Sequence, residues 1–231
     1  MKMELIGQRT DTIRKLLLCG AIAGPLFVAL FLLEGATRSG YNPLRHPVSS
    51  LALGEFGWIQ VANFLLAGSL SIAFAIGLRL TLSSQRGSTS GPFLIAVWGI
   101  GLLGAGIFLT DPVSGYPAGS PDLVLTSTSH GILHDQFSLL GFAALAAACF
   151  VYCVRFTRQG QQGWAFYSAI TGILFPIGIF LASAAFSQNP NLVAFGGLIQ
   201  RLTITIGWAW LSLLSIHYLH TLPKKADGTK K

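Results

Sequence analysis

Charge is what this chain has least of. Only 10% of its 231 residues are Asp, Glu, Lys or Arg, where soluble domains carry about 25%. With 52% hydrophobic residues, that scarcity excludes an ordinary water-soluble globular domain. Acidic residues are the rarer sign, eight against fifteen basic ones. Cysteine is limited to Cys19, Cys149 and Cys153, which excludes a disulfide scaffold. The spacing of Cys149 and Cys153 reads as apolar helix packing. No Gly-x-Ser-x-Gly elbow is present, so nothing marks a serine hydrolase. No zincin pattern is present either, because Gly131 stands where the Glu beside the first His would be. No repeat of 20–50 residues occurs, which excludes solenoids and propellers.

Long apolar runs fill the space that charge leaves. Six are found, over residues 16–33, 58–80, 92–110, 136–154, 164–186 and 199–218. Each has about the 17–25 residues needed to cross roughly 30 Å of hydrocarbon as a helix. Backbone amides cannot stay unpaired in lipid, and barrel strands would alternate over about 10 residues. The expected fold is therefore an all-α integral membrane protein, a bundle of six transmembrane helices. The first run is read as a retained span. Its core exceeds a signal-peptide h-region, and Gly35-Ala36-Thr37 is a poor cleavage site.

The net charge of +7 is unevenly placed. Twelve Lys and Arg residues flank the runs on the side of the two termini, and Arg38, Arg45 and Arg201 stand alone on the other. Loops rich in Lys and Arg stay in the cytoplasm, so both termini are expected there. The excess reads as a topology signal suited to anionic lipid, not as nucleic-acid binding. The expected organisation is a basic N-terminus over 1–15, one transmembrane domain over 16–220 and a Lys-rich disordered tail over 221–231. Small residues such as Gly20, Gly24, Gly99, Gly101 and Gly104 let helices approach closely in lipid. Pro25 and Pro176 fall inside spans, where proline can kink a helix.

The outer connections, 34–57, 111–135 and 187–198, are long enough to fold over the outer mouth of the bundle. Polar residues gather beside them. Arg201, Thr205, Trp208, Ser212 and Ser215 share one face of the last span, and Ser127, His130, His134 and Ser138 share one face of the fourth. Asn63 lies one turn inside the second span. Polar faces turn away from lipid, so these spans are expected to line one interior. Arg201, against the charge trend, needs a partner. Asp111, Asp135 and Glu34 are candidates for an ion pair, and its planar fork also suits a phosphate or carboxylate ligand. His130 and His134, four apart, bring their Cβ atoms within roughly 5–6 Å. They are candidates for zinc together with Asp111, for a headgroup or proton, or for structural hydrogen bonding. Ser49 or Ser50 is a candidate cap for a short helix running toward Trp58. His217 and His220 read as interfacial residues.

Tyr41-Asn-Pro, Arg45-His46-Pro47-Val-Ser49, Gly57-Trp58, Asn63-Phe64, Asp111-Pro112, Gly115-Tyr116-Pro117 and His130-Gly131-x-x-His134-Asp135 occur in that order. Over about residues 16–220 this combination resembles the bacterial and archaeal membrane family called domain of unknown function 998. The resemblance implies a compact multi-span protein of the plasma membrane and no established activity. The Ser, Asp and His set is also loosely similar to membrane hydrolases of the alkaline ceramidase and adiponectin receptor superfamily. Those have seven spans, and their final-helix His-x-x-x-His is replaced here by His217 and His220, three apart.

The leading expectation is an outward-facing polar pocket that binds a lipid headgroup or small anionic ligand. Its candidate residues are Arg45, His46, Ser49, Asn63, Asp111, His130, His134, Asp135 and Arg201. The alternatives are a metal-dependent membrane hydrolase, with zinc on His130, His134 and Asp111, and an accessory subunit whose Gly-rich faces pack on another membrane protein.

Overall fold

A computed structural model describes residues 2–82 and 89–223. Arg86 and the Lys-rich tail from 224, which enter the charge count above, lie outside the described residues. Six α-helices follow one another: α1 Lys2–Thr37, α2 Gly57–Thr81, α3 Ser90–Ile107, α4 Ser129–Arg158, α5 Gln162–Phe186 and α6 Gly196–Thr221. All six are long and apolar enough to cross a membrane. No strand is present among the described residues; one isolated bridge joins Val113 and Tyr116. Each helix packs on its neighbours in sequence, and α6 closes against α1, so the six form a ring. α1 and α5 run through Pro25 and Pro176 without ending.

The surface and interior follow the solvent expected around each. Leu33, Trp58, Phe93, Leu139, Phe166 and Phe180 are more than 60% exposed, as side chains that meet lipid tails would be. α3 carries the glycine-rich face and uses it on both sides. A Cβ on Gly99 would meet the Gly68 carbonyl oxygen at 2.8 Å, and one on Gly101 would meet the Phe137 carbonyl oxygen at 2.7 Å. Only backbone fits at these two crossings, which is why α2 and α4 lie so close to α3.

One aromatic ring from each helix meets at mid-height: Phe27, Phe64, Trp98, Phe142, Phe175 and Trp208. Phe27 contacts Phe64 at 5.5 Å and Trp208 at 5.4 Å between centroids. Trp98 contacts Trp208 at 5.4 Å, Phe142 at 6.1 Å and Phe175 at 6.4 Å. Such pairs contribute about 0.5–1.5 kcal/mol each beyond their burial. Together they form a plug across the ring. A second aromatic cluster, with Tyr152, Phe156, Trp164, His217 and Tyr218, fills the half nearer the termini. The start of α1 and the end of α6 lie on that face, where Arg14 Nη2 donates to the Pro223 carbonyl at 3.1 Å.

The polar stripe expected on α6 is largely a helix seam. Ser212 donates to the Gly20 carbonyl at 3.2 Å, and Ser215 donates to the Leu17 carbonyl, both on α1. Thr205 faces outward instead. Asn63 also turns to α1, donating to the Phe27 carbonyl at 3.2 Å. Interhelical bonds of this kind average about 0.6 kcal/mol. They fix how α1 packs on α2 and α6 without lining a cavity.

Candidate functional site

The loops opposite the termini knit into a cap. Asp122 is its hub. Its carboxylate accepts from Arg45 Nη2 at 2.7 Å, and its carbonyl accepts from the Ser114 amide at 2.9 Å and from Gln188 Nε2 at 2.9 Å. One residue of the second loop thus holds the first and the third. Arg45 Nε also donates to the Ser114 carbonyl at 3.1 Å. Val48 donates its amide to Gln200 Oε1 at 2.7 Å, joining the first loop to α6. Ser49 and Ser50 lie within a 3-10 helix, Val48–Ala52, whose start has no side-chain cap.

All three arginines of this face act as staples. Arg38 pairs with Glu34 at 3.0 Å and donates to the carbonyls of Leu53 and Phe56. Arg201, 7% exposed, forms no ion pair with Asp111, Asp135 or Glu34 among the described residues. It donates to the carbonyls of Pro43 at 2.6 Å, His46 at 3.1 Å and Gly197 at 3.0 Å, and to the Tyr41 hydroxyl. Phe31 and Tyr41 flank its guanidinium at 5.9 and 5.4 Å. A cation aimed at carbonyl oxygens needs no carboxylate, because several oriented dipoles replace its water.

His46 completes this cluster. Its Nδ1 accepts the Asn42 amide at 2.9 Å, and its ring packs against Tyr41 at 5.3 Å and Tyr116 at 5.2 Å. Burial, then the nearby Arg45 charge, hold its pKa below the ordinary imidazole value, against a hydrogen bond to the Ser114 backbone. It packs the cluster, and its surroundings favour the neutral ring. Burial pushes the Tyr41 phenol up to about 12, against the pull of Arg201.

Beneath the cap lies a cavity of about 460 Å³. Its floor is the aromatic plug, through Phe27, Phe64, Trp98 and Phe142. Its mouth carries Ser49, Asp111, Ser127, Asp135 and Ser138, with His134 between mouth and floor and Gln200 on the α6 side. No Lys or Arg lines it among the described residues. Leu139, 66% exposed, and Phe186 belong to the wall where α4 meets α5. The indole Nε1 of Trp98 is buried there with no hydrogen-bond partner among the described residues.

The nine expected site residues divide. Ser49, Asp111, His134 and Asp135 line the cavity. Arg45, His46 and Arg201 form the staple cluster beside it, Asn63 faces α1, and His130 is exposed with its ring 5.7 Å from that of Phe108. The three residues expected to hold zinc are committed separately. Asp111 accepts from the Thr128 amide at 2.9 Å and the Thr128 hydroxyl at 2.7 Å. Thr128 in turn caps α4 by accepting the Gly131 amide at 3.0 Å. A Cβ at 131 would lie 2.0 Å from Asp111 Oδ2, which is the physical reason for glycine where a zincin carries Glu. His134 places Nδ1 3.1 Å from the Ala105 carbonyl and 2.9 Å from that of Phe108. Both are acceptors, so Nδ1 carries the proton and Nε2 is left for other partners. Among the described residues, no group of three His, Cys, Asp or Glu side chains comes together to hold a metal ion.

Asp122, Trp98, Ser138 and Gln200 were not among the expected site residues. Asp122 had a signal, an acid in a loop without Lys or Arg on the face that carries Arg38, Arg45 and Arg201. Trp98 had a weaker one, an aromatic inside each of the six spans.

Among known proteins, the family model described as Protein of unknown function (DUF998) matches residues 21–217. No curated protein and no solved structure matches the chain.

Proposed function

The chain belongs to the DUF998 family of proteins of unknown function, and from its cavity we propose that it is a membrane binding protein for an amphipathic ligand with a neutral or cationic head. The observation that carries this reading is the lining of the cavity. Aromatic rings form one end, carboxylates, hydroxyls and an imidazole form the other, and no Lys or Arg is present among the described residues. A lipid headgroup remains the ligand chemistry of choice. A small anion is disfavoured, because Arg45 and Arg201 line no part of the cavity and turn most of their donors to the cap. The aromatic plug stops the cavity at mid-height, which favours holding a ligand over passing it through. The family resemblance supports the plasma membrane and charge placement supports both termini in the cytoplasm, so the mouth would open outward.

Native mass spectrometry of the protein, released gently from its membrane, tests this. Wild type should retain an amphiphile of neutral or positive head. Ser138→Trp places an indole in the cavity and should remove that species while the protein stays monodisperse. An anionic species as the retained ligand, or retention unchanged in Ser138→Trp, would overturn the proposal.

A further inference from the structure

The face at the start of α1 and the end of α6 carries the opposite chemistry. A cavity of about 520 Å³ lies there between the start of α3 and the end of α4. Arg155 and Arg158 line it, and no Asp or Glu does among the described residues. Its other wall is the first turn of α3, Ser90 and Gly91, which has no side-chain cap among the described residues. Amides at a helix start present partial positive charge and N–H donors toward an anion.

A buried side chain points to the same place. Tyr152 is 1% exposed, and its hydroxyl has no hydrogen-bond partner among the described residues. It lines this cavity, and its oxygen lies 3.0 Å from where a Cβ on Gly91 would sit. So the phenol hangs over the first turn of α3 with an unused donor. A buried hydroxyl left unpaired costs about 1–3 kcal/mol, so a ligand oxygen at this point would recover that loss. Below it, Phe150 and Val154 are 45% and 49% exposed on the lipid-facing side.

We infer that this cavity binds the phosphate of an anionic phospholipid, held by Arg155, Arg158, the Tyr152 hydroxyl and the first turn of α3, with the acyl chains on Phe150 and Val154. Guanidinium forks match phosphate oxygens in pairs. The apolar ledge selects a lipid over free phosphate. The site is independent of the opposite cavity, from which the aromatic plug divides it.

Detergent-solubilised protein is loaded with phosphatidylglycerol or phosphatidylcholine, washed, and assayed for retained lipid. Wild type should keep phosphatidylglycerol selectively. Arg158→Gln, an exposed position that leaves folding intact, should lower the retained ratio about tenfold. Tyr152→Phe should lower it severalfold without loss of thermal stability. An unchanged ratio in Arg158→Gln would overturn the site. So would a fall in Arg158→Gln with no change in Tyr152→Phe, which marks general attraction to an anionic surface. Inorganic phosphate should compete poorly; displacement of the lipid at equal concentration would assign the site to free phosphate instead.

Discussion

Arg201→Gln separates a structural staple from a ligand-binding cation. The guanidinium makes two bonds to carbonyl oxygens of the first loop, Pro43 at 2.6 Å and His46 at 3.1 Å, and a third to Tyr41. A hydrogen bond from a charged donor contributes about 1.5–3 kcal/mol. The Gly197 carbonyl belongs to α6 itself, and the His46 carbonyl keeps the Tyr41 hydroxyl at 3.1 Å, so those acceptors lose little. The Pro43 carbonyl is left without its charged donor, and glutamine cannot span all three loop partners. The net loss is about 3–5 kcal/mol, from one or two bonds of a charged donor together with the stranded Pro43 carbonyl. At about 2–4 °C per kcal/mol for a chain of this size, the melting point in detergent should fall by about 10 °C. The loop 38–56 should become open to protease. Arg201→Lys should recover part of the loss, since an ammonium reaches fewer of these oxygens. A melting point within about 2 °C of wild type, with the loop still protected, would refute the staple. Weakened ligand binding at full stability would assign Arg201 to the ligand.

The His46 pKa sits below its unfolded value of about 6.5, lowered by burial and then by Arg45. The unfolded chain therefore binds more protons just below that pH. Stability should be full above about pH 6.5 and fall as pH drops below it, and a melting series should lose that component in His46→Gln. Gly131→Ala drives a methyl into Asp111, whose oxygen would lie 2.0 Å away. A cost of about 1–3 kcal/mol is expected, shrinking in an Asp111→Ala background, as a double-mutant cycle in thermal melts would show. Gly99→Ala presses on the Gly68 carbonyl at 2.8 Å and should cost a similar amount, with α2 and α3 forced apart in distance measurements between spin labels.

The six spans were legible because lipid demands long unbroken apolar runs, and nothing soluble imitates them. Their ends were less so. α1 and α4 extend well beyond residues 16–33 and 136–154, since helix propensity and the Thr128 cap continue them outside the hydrocarbon. At the candidate site, Asp111, His134 and Asp135 were legible as polar groups stranded at span ends. The split between cavity and staple cluster was not. An arginine that donates to carbonyl oxygens looks the same in sequence as one awaiting an anion, because every residue has a carbonyl and only the folded loop decides where it points. The stripe on α6 misled for a related reason. Its serines found backbone oxygens of α1, partners that no side-chain pattern records.

The most direct test of the central claim is the charge preference of the cavity. Fluorescent alkylammonium, alkyl alcohol and alkylsulfate probes of equal chain length are titrated into wild type and Asp135→Asn, with Ser138→Trp defining non-specific uptake. Asp135 lines the cavity and is exposed, so its charge should be worth at most about 1 kcal/mol to a cationic head. Ammonium and alcohol should bind above the sulfate in wild type. The preference for ammonium over alcohol should shrink by about 3- to 5-fold in Asp135→Asn. Tighter binding of the sulfate, or equal uptake of all three probes in wild type and Ser138→Trp, would contradict the account.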